Sequence, residues 1–186
     1  KAMMPARDSR AFVGGEKVTV LFVERTNFQV IYGVEKAVKG KEKISGDNFS
    51  LRHCREGQFI GALSDGMGSG ITAYRESELV IDLLEQFLEA GFSKETAVRM
   101  TNSALILRSD AQVFSTIDIA SLDLYTGVCE FLKVGASTTF IRRENWVETI
   151  SSTSLPAGVF HKLAPDCTGK KLYDGDMVIM VTDGVM

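Results

Sequence analysis

Two rhythms of apolar and polar residues divide the chain. Residues 17–24 and 28–34 are rich in Val, Phe, Ile and Tyr around the polar Arg25-Thr26-Asn27, which predicts two strands joined by a hairpin turn. A second strand pair is predicted over 49–53 and 58–64, turned through Arg55-Glu56-Gly57. The period then lengthens. Leu79, Val80, Leu83, Leu84, Phe87 and Leu88 recur at steps of three and four, so 71–89 reads as an amphipathic helix ended by Ala90-Gly91. Ser93 can cap a second helix through Val98, Ala104, Leu105 and Leu107, and the short join makes the two an antiparallel pair. From Ser115 the period returns to two over 116–124, 129–134 and 138–142, followed by a strand at 146–150. Residues 162–171, which hold Pro165 and Gly169, read as a loop, and Tyr173-Asp174-Gly175-Asp176 turns into a last strand. Strands, a helical pair and more strands predict an α+β sandwich.

Composition narrows the classes of function. At 186 residues the chain suits one domain with its own core. Its net charge of -3, with both signs intermixed, provides neither a basic face for nucleic acid nor a polybasic tract for a membrane. Cys54, Cys129 and Cys167 are odd in number and form no CxxC pair, which argues against a disulfide framework or structural zinc and favours a reducing compartment. No apolar run has the length of a membrane span, and the start Lys1-Ala2-Met3-Met4-Pro5 is not a signal peptide. The absence of an initiator Met and the stop at Val185-Met186, just after a strand-to-turn signal, read as a piece of a longer protein at both ends.

The chemistry-bearing residues are acids at strand ends. In Gly61-Ala62-Leu63-Ser64-Asp65-Gly66-Met67-Gly68-Ser69-Gly70 an apolar run delivers a carboxylate into a glycine-rich bend ahead of a helix. The grammar recurs at Met177-Val178-Ile179-Met180-Val181-Thr182-Asp183-Gly184, and a third acid, Asp47, lies in Ser45-Gly46-Asp47-Asn48. Asp-Gly is first of all a turn dipeptide, so either instance alone means little. Both follow buried-looking strands, however, and an unpaired buried carboxylate costs roughly several kcal/mol. No Lys or Arg in these segments is placed to pair them, and oxygen donors without His or Cys suit Mg²⁺ or Mn²⁺ better than Zn²⁺.

Other motifs carry less. The bend Gly66-Met67-Gly68-Ser69-Gly70 could cradle a phosphate, but Ile71 stands where a dinucleotide fingerprint wants Gly or Ala, and no Gly-Lys-Ser/Thr occurs. His53-Cys54 imitates a cysteine phosphatase until the position six residues on, where Ile60 replaces the Arg that would bind phosphate. His161 has no Ser or Asp at a readable spacing, and there is no GxSxG elbow.

The ordered set Ser45-Gly46-Asp47-Asn48, Ser64-Asp65-Gly66-Met67-Gly68-Ser69-Gly70, Phe131-Leu132-Lys133-Val134-Gly135-Ala136-Ser137, Leu155-Pro156-Ala157-Gly158 and Met180-Val181-Thr182-Asp183-Gly184 resembles the phosphatase domain of the stage II sporulation protein E family. That family is one of the metal-dependent protein serine/threonine phosphatases of the PPM (phosphatase 2C) class. The resemblance covers 28–186 and leaves 1–27 as an N-terminal extension or the end of a regulatory segment. It implies a layered αββα β-sandwich flanked by helical pairs, with two Mn²⁺ or Mg²⁺ ions in a cleft at one edge. By motif position Asp65 resembles the carboxylate shared by both ions, Asp47 and the Gly66 carbonyl resemble ligands of one, and Asp183 resembles a ligand of the other. The implied reaction is direct attack of water on a phosphoserine or phosphothreonine, with no phosphoenzyme. The family also implies a phosphorylated anti-anti-sigma factor as substrate in sporulation and a cytoplasmic domain of a larger membrane-anchored bacterial protein; a homodimer is a separate expectation. A further acid, in an Asp-Asp-x-Thr motif, is expected beyond Met186, so the domain is expected to be incomplete at its C-terminal end and its activity in this form is left open. The competing reading is a non-catalytic phosphoprotein-binding module of the same fold.

Overall fold

The computed structural model describes residues 3–5, 12–14, 17–19, 22–36, 44–54, 57–108 and 114–185. In chain order the strands and helices are β1 (Met3–Pro5), β2 (Phe12–Gly14), β3 (Lys17–Thr19), β4 (Phe22–Glu24), β5 (Asp47–Cys54), β6 (Gln58–Asp65), α1 (Gly70–Glu89) and α2 (Lys94–Leu107). There follow β7 (Ile117–Asp123), β8 (Val128–Val134), β9 (Thr139–Arg142), β10 (Val147–Ile150), β11 (Asp166–Lys171), β12 (Met177–Ile179) and a 3₁₀ turn at Asp183–Val185.

Five strands in the order β11-β8-β7-β6-β5 make the main antiparallel sheet, and β10-β9-β12 make a second one. Because strand side chains alternate, the main sheet has two working faces. Ile60, Ala62, Ile117, Ile119, Leu132 and Val134 form one core with Val80, Ile81 and Leu84 of α1 and Ala97, Val98 and Leu105 of α2. The opposite parity places Ala120, Cys129 and Phe131 against Ile141 of β9 and Ile150 of β10, which is the core between the sheets. Each buried aliphatic or aromatic side chain contributes roughly 1.5–3 kcal/mol by leaving water.

The helical pair matches its sequence pattern with a shift of face. Ala73, Ser77, Val80, Ile81 and Leu84 are the buried residues of α1, so small side chains bring its first turns close to the sheet. Gly91, at φ 87°, reverses the chain after α1 while the Phe92 amide donates to the Phe87 carbonyl. Ser93 caps α2 by accepting from the Thr96 amide at 3.2 Å. In α2 the buried side chains are Ala97, Val98, Thr101, Asn102 and Leu105, while Leu107 is exposed.

Three expected elements are corrected. Residues 17–19 and 22–24 belong to two different strand pairs, β3 with β2 and β4 with β1, and residues 20–21 lie outside the described residues. Phe28 to Val34 takes no strand ladder. Instead the Asn27 and Phe28 amides both donate to the Leu124 carbonyl, and Tyr32 packs 5.7 Å from the Phe59 ring while Ile31 and Val34 stay exposed. The expected loop at 162–171 contains β11, whose residues pair from Asp166↔Lys133 to Lys171↔Val128. As an edge strand with mostly exposed side chains it lacks the apolar alternation that would have revealed it, and Pro165 precedes it where a missing N–H does no harm.

Candidate metal centre

The Asp65 backbone is held more firmly than a strand terminus requires. Its amide donates to Thr116 Oγ1 at 2.9 Å. Its carbonyl accepts from the Thr116 amide at 2.9 Å and from Ser115 Oγ at 2.8 Å. Ser64 and Ser115, both fully buried, meet hydroxyl to hydroxyl at 2.8 Å behind it. Across the ladder Asp65 stands directly opposite Asp47, on the face that looks toward the second sheet. Ser45 Oγ donates to Asp47 Oδ2 at 2.8 Å, and Lys36 Nζ donates to the Asp47 main-chain carbonyl at 2.7 Å. The lysine therefore touches the backbone there, and no Lys or Arg among the described residues forms an ion pair with Asp47, Asp65 or Asp183.

Glycine is required at two neighbouring points. A Cβ on Gly66 would come 2.0 Å from the Ala73 carbonyl oxygen, and one on Gly46 would come 2.9 Å from Ala73 Cβ. The same point above Gly46 lies 3.4 Å from the Gly66 carbonyl oxygen and 3.7 Å from Asp65 Oδ1. The Gly66 amide donates to the Gly46 carbonyl, which also accepts from the buried Ser77 hydroxyl at 2.5 Å. Asn48 Nδ2 reaches the Tyr74 carbonyl and Ser77 Oγ, each at 3.0 Å, and so completes the lock between β5 and the start of α1.

Asp183 comes from the other sheet. The 3₁₀ turn after β12 brings it, with Val181 and Thr182, into a cleft also lined by Leu63, Asp65, Thr116 and Asp118. Asp65 feels the convergence: burial first, then the charges of Asp47 and Asp183, then hydrogen bonding with both carboxyls, push its carboxyl up to about 7. Without a cation, burial and the two neighbouring negative charges favour the protonated form of Asp65. Among the described residues no three His, Cys, Asp or Glu side chains close into a ready cage. The donor set, carboxylates and main-chain carbonyls with no imidazole or thiolate, fits a hard divalent ion.

The motifs set aside as decoys behave as packing. His53 meets the edge of Phe59 at 5.0 Å, and burial pushes the Cys54 thiol up. Cys129 is buried between the sheets, with its thiol pushed up to about 12 by burial. What sequence reasoning missed is the pair Asp118 and Lys133, buried beside the cleft and joined at 2.5 Å. A signal existed. Each charge interrupts an apolar run at an inward-facing position, and the two are equidistant from the midpoint between Tyr125 and Thr126, as direct partners in a hairpin must be.

Comparison with known proteins bears on this geometry. The family model described as stage II sporulation protein E (SpoIIE) matches residues 55–186. The chain belongs to the stage II sporulation protein E family. It is 36% identical over 166 residues to stage II sporulation protein E of Bacillus subtilis (strain 168), covering 89% of this chain and 20% of that protein. Against the Priestia megaterium protein of the same name the identity is 37% over 153 residues, covering 82% of this chain and 26% of that protein. The chain thus spans about a fifth to a quarter of these relatives. The solved PP2C phosphatase domain with a fragment of the regulatory domain of SpoIIE from Bacillus subtilis matches with a TM-score of 0.82 at 35% identity, over 90% of this chain and 50% of that one. The fold is therefore the α+β sandwich of the PP2C phosphatase domain.

Proposed function

We propose that this chain is the catalytic part of a metal-dependent protein serine/threonine phosphatase, and that Asp65 is its central ion ligand. The observation that carries the reading is the placement of Asp65: half-buried, flanked by Asp47 and Asp183, and paired with no cationic side chain among the described residues. Family membership supports the same reaction class. Asp65 and Asp47 with the Gly66 carbonyl would hold one Mn²⁺ or Mg²⁺, and Asp65 with Asp183 a second. Bound divalent ions supply what these side chains lack, by lowering the pKa of water toward neutrality and neutralising charge on the transferring phosphoryl oxygens.

The chain's own residues do the positioning. Thr116 and Ser115 fix the Asp65 main chain through three hydrogen bonds, while Gly46, Gly66 and Ser77 hold the end of β6 against α1. Rigid backbone at a ligand matters because ligands a fraction of an ångström out of place weaken both binding and chemistry. The substrate in this reading is a phosphoserine or phosphothreonine on a regulatory protein, namely a phosphorylated anti-anti-sigma factor, and the chain acts as a cytoplasmic domain. Among the described residues no helix is long and apolar enough to cross a membrane.

The test is phosphate release from a phosphoserine-bearing protein by the full-length protein, with Mn²⁺ present or chelated. Release is expected to require the ion and to be lost in Asp65→Asn. Undiminished release by Asp65→Asn in chelator would falsify the reading.

A further inference from the structure

The ion pair beside the cleft is satisfied on one side only. Lys133 is 0% and Asp118 2% exposed, and they face each other directly across β7 and β8. Lys133 Nζ donates to Asp118 Oδ2 at 2.5 Å and to Thr139 Oγ1 at 2.7 Å. Thr139 Oγ1 donates to the same Asp118 Oδ2 at 3.0 Å. Among the described residues, every hydrogen bond to this carboxylate falls on Oδ2. Oδ1, equally buried, has no partner among the described residues. A buried acceptor left unmade is costly, and in a native fold it calls for an occupant.

The location says what kind of occupant. Asp118 lines the same cleft as Asp65, Thr116 and Asp183, and with Oδ2 committed to Lys133 and Thr139, Oδ1 is the polar atom it can offer there. An acid whose charge is already balanced by an ammonium adds an acceptor without adding net charge to a site that holds three aspartates. Such a group suits an outer position, accepting a hydrogen bond from a water, better than direct coordination. Resting on the cation reading of Asp65, we infer that Asp118 is a positioning residue of the metal centre. Its Oδ1 orders a water beside Asp65 and Asp183, and Lys133 is the counter-charge that permits a carboxylate at this depth.

A purely structural ion pair is the rival, and the two separate experimentally. Replacing a buried pair by apolar side chains of similar volume is often neutral or stabilising, so Asp118→Leu with Lys133→Met should fold with an unfolding midpoint near that of the unaltered protein. In the full-length protein, Mn²⁺ affinity read as free ion by electron paramagnetic resonance should then fall ~10–100-fold, the usual cost of losing an outer partner. Affinity within twofold of the unaltered protein, in a folded variant, overturns the inference while leaving the cation reading intact. A magnesium-loaded structure of the unaltered protein gives the answer without any variant. An ordered water within hydrogen-bonding distance of Asp118 Oδ1 supports the inference, and a dry Oδ1 overturns it. If the unaltered protein binds no Mn²⁺ at all, the cation reading fails first and this inference with it.

Discussion

Asp47 lies directly opposite Asp65 across the β5–β6 ladder, with no ion pair from the described residues to either carboxylate. Like charges in that relationship destabilise a sheet, and here both are also half-buried. A chain that folds around such a pair carries a local cost that a bound cation would remove. Stability and ion binding therefore pull on the same residues.

Replacing Asp65 by Asn should separate the two effects. In chelator at pH 8 the variant is expected to be more stable than the unaltered protein by about 0.5 kcal/mol or more, because one of the opposed charges is gone. Its Mn²⁺ binding, followed by calorimetry, should be lost. An Asp65→Asn variant that is less stable without ions, yet binds them normally, would contradict both the geometry and the role.

The pH dependence has a definite sign. The Asp65 carboxyl is raised from 3.8 to about 7 by burial and by Asp47 and Asp183, so between those values the folded protein holds a proton that the unfolded chain has released. The contribution of this group to stability is complete below pH 3.8 and is lost as pH rises through about 7. Ions compete with that proton, so their affinity should climb roughly tenfold per pH unit up to about 7 and then level off. Mn²⁺ titrations from pH 5.5 to 8.5 check this, and a flat profile would remove Asp65 from the binding site.

The candidate acids were legible in the chain itself because two apolar runs each end in Asp-Gly and Asp47 precedes a further strand pattern. Asp47, Asp65 and Asp183 could be singled out from strand ends alone, and the 49–53 and 58–64 pairing already brought two of them together. The helices were equally plain, as their period persists over many residues. What could not be read has a common cause: its apolar pattern is missing or misleading. β11 is an exposed edge strand that borrows its ladder from β8, so Cys167-Thr168-Gly169-Lys170 shows no alternation. Phe28 to Val34 has the composition of a strand but joins no ladder among the described residues. Lys133 and Asp118 were overlooked because a charge in an apolar run is ordinarily assigned to the solvent face, and only the hairpin register shows both pointing inward.

Gly66 should tolerate no side chain. In Gly66→Ala the new Cβ meets the Ala73 carbonyl oxygen at 2.0 Å, and a main-chain atom in a helix cannot swing aside. Either α1 backs away from β6 or the bend carrying Asp65 shifts. Overpacking of this kind costs about 1–3 kcal/mol. Urea unfolding should show that loss together with weaker Mn²⁺ binding. A variant as stable as the unaltered protein would mean that α1 does not rest on this glycine.

Asn102 ties the helical pair to the centre through a longer route. At 1% exposure its Nδ2 donates to the Phe160 carbonyl at 3.0 Å and its Oδ1 accepts from the Gly158 amide at 2.8 Å. The adjoining Ala157 exchanges two main-chain hydrogen bonds with Ser115, whose hydroxyl holds the Asp65 carbonyl. Asn102→Ala leaves the Gly158 donor and the Phe160 acceptor unmade inside the protein, which should cost about 1–3 kcal/mol. Asn102→Asp keeps the acceptor but buries a charge and removes the donor, so it should be the worse of the two at pH 8 and should recover part of the difference at pH 5. Thermal unfolding of both variants at the two pH values decides it, since a merely volume-filling role for Asn102 predicts that alanine is the more damaging change at either pH.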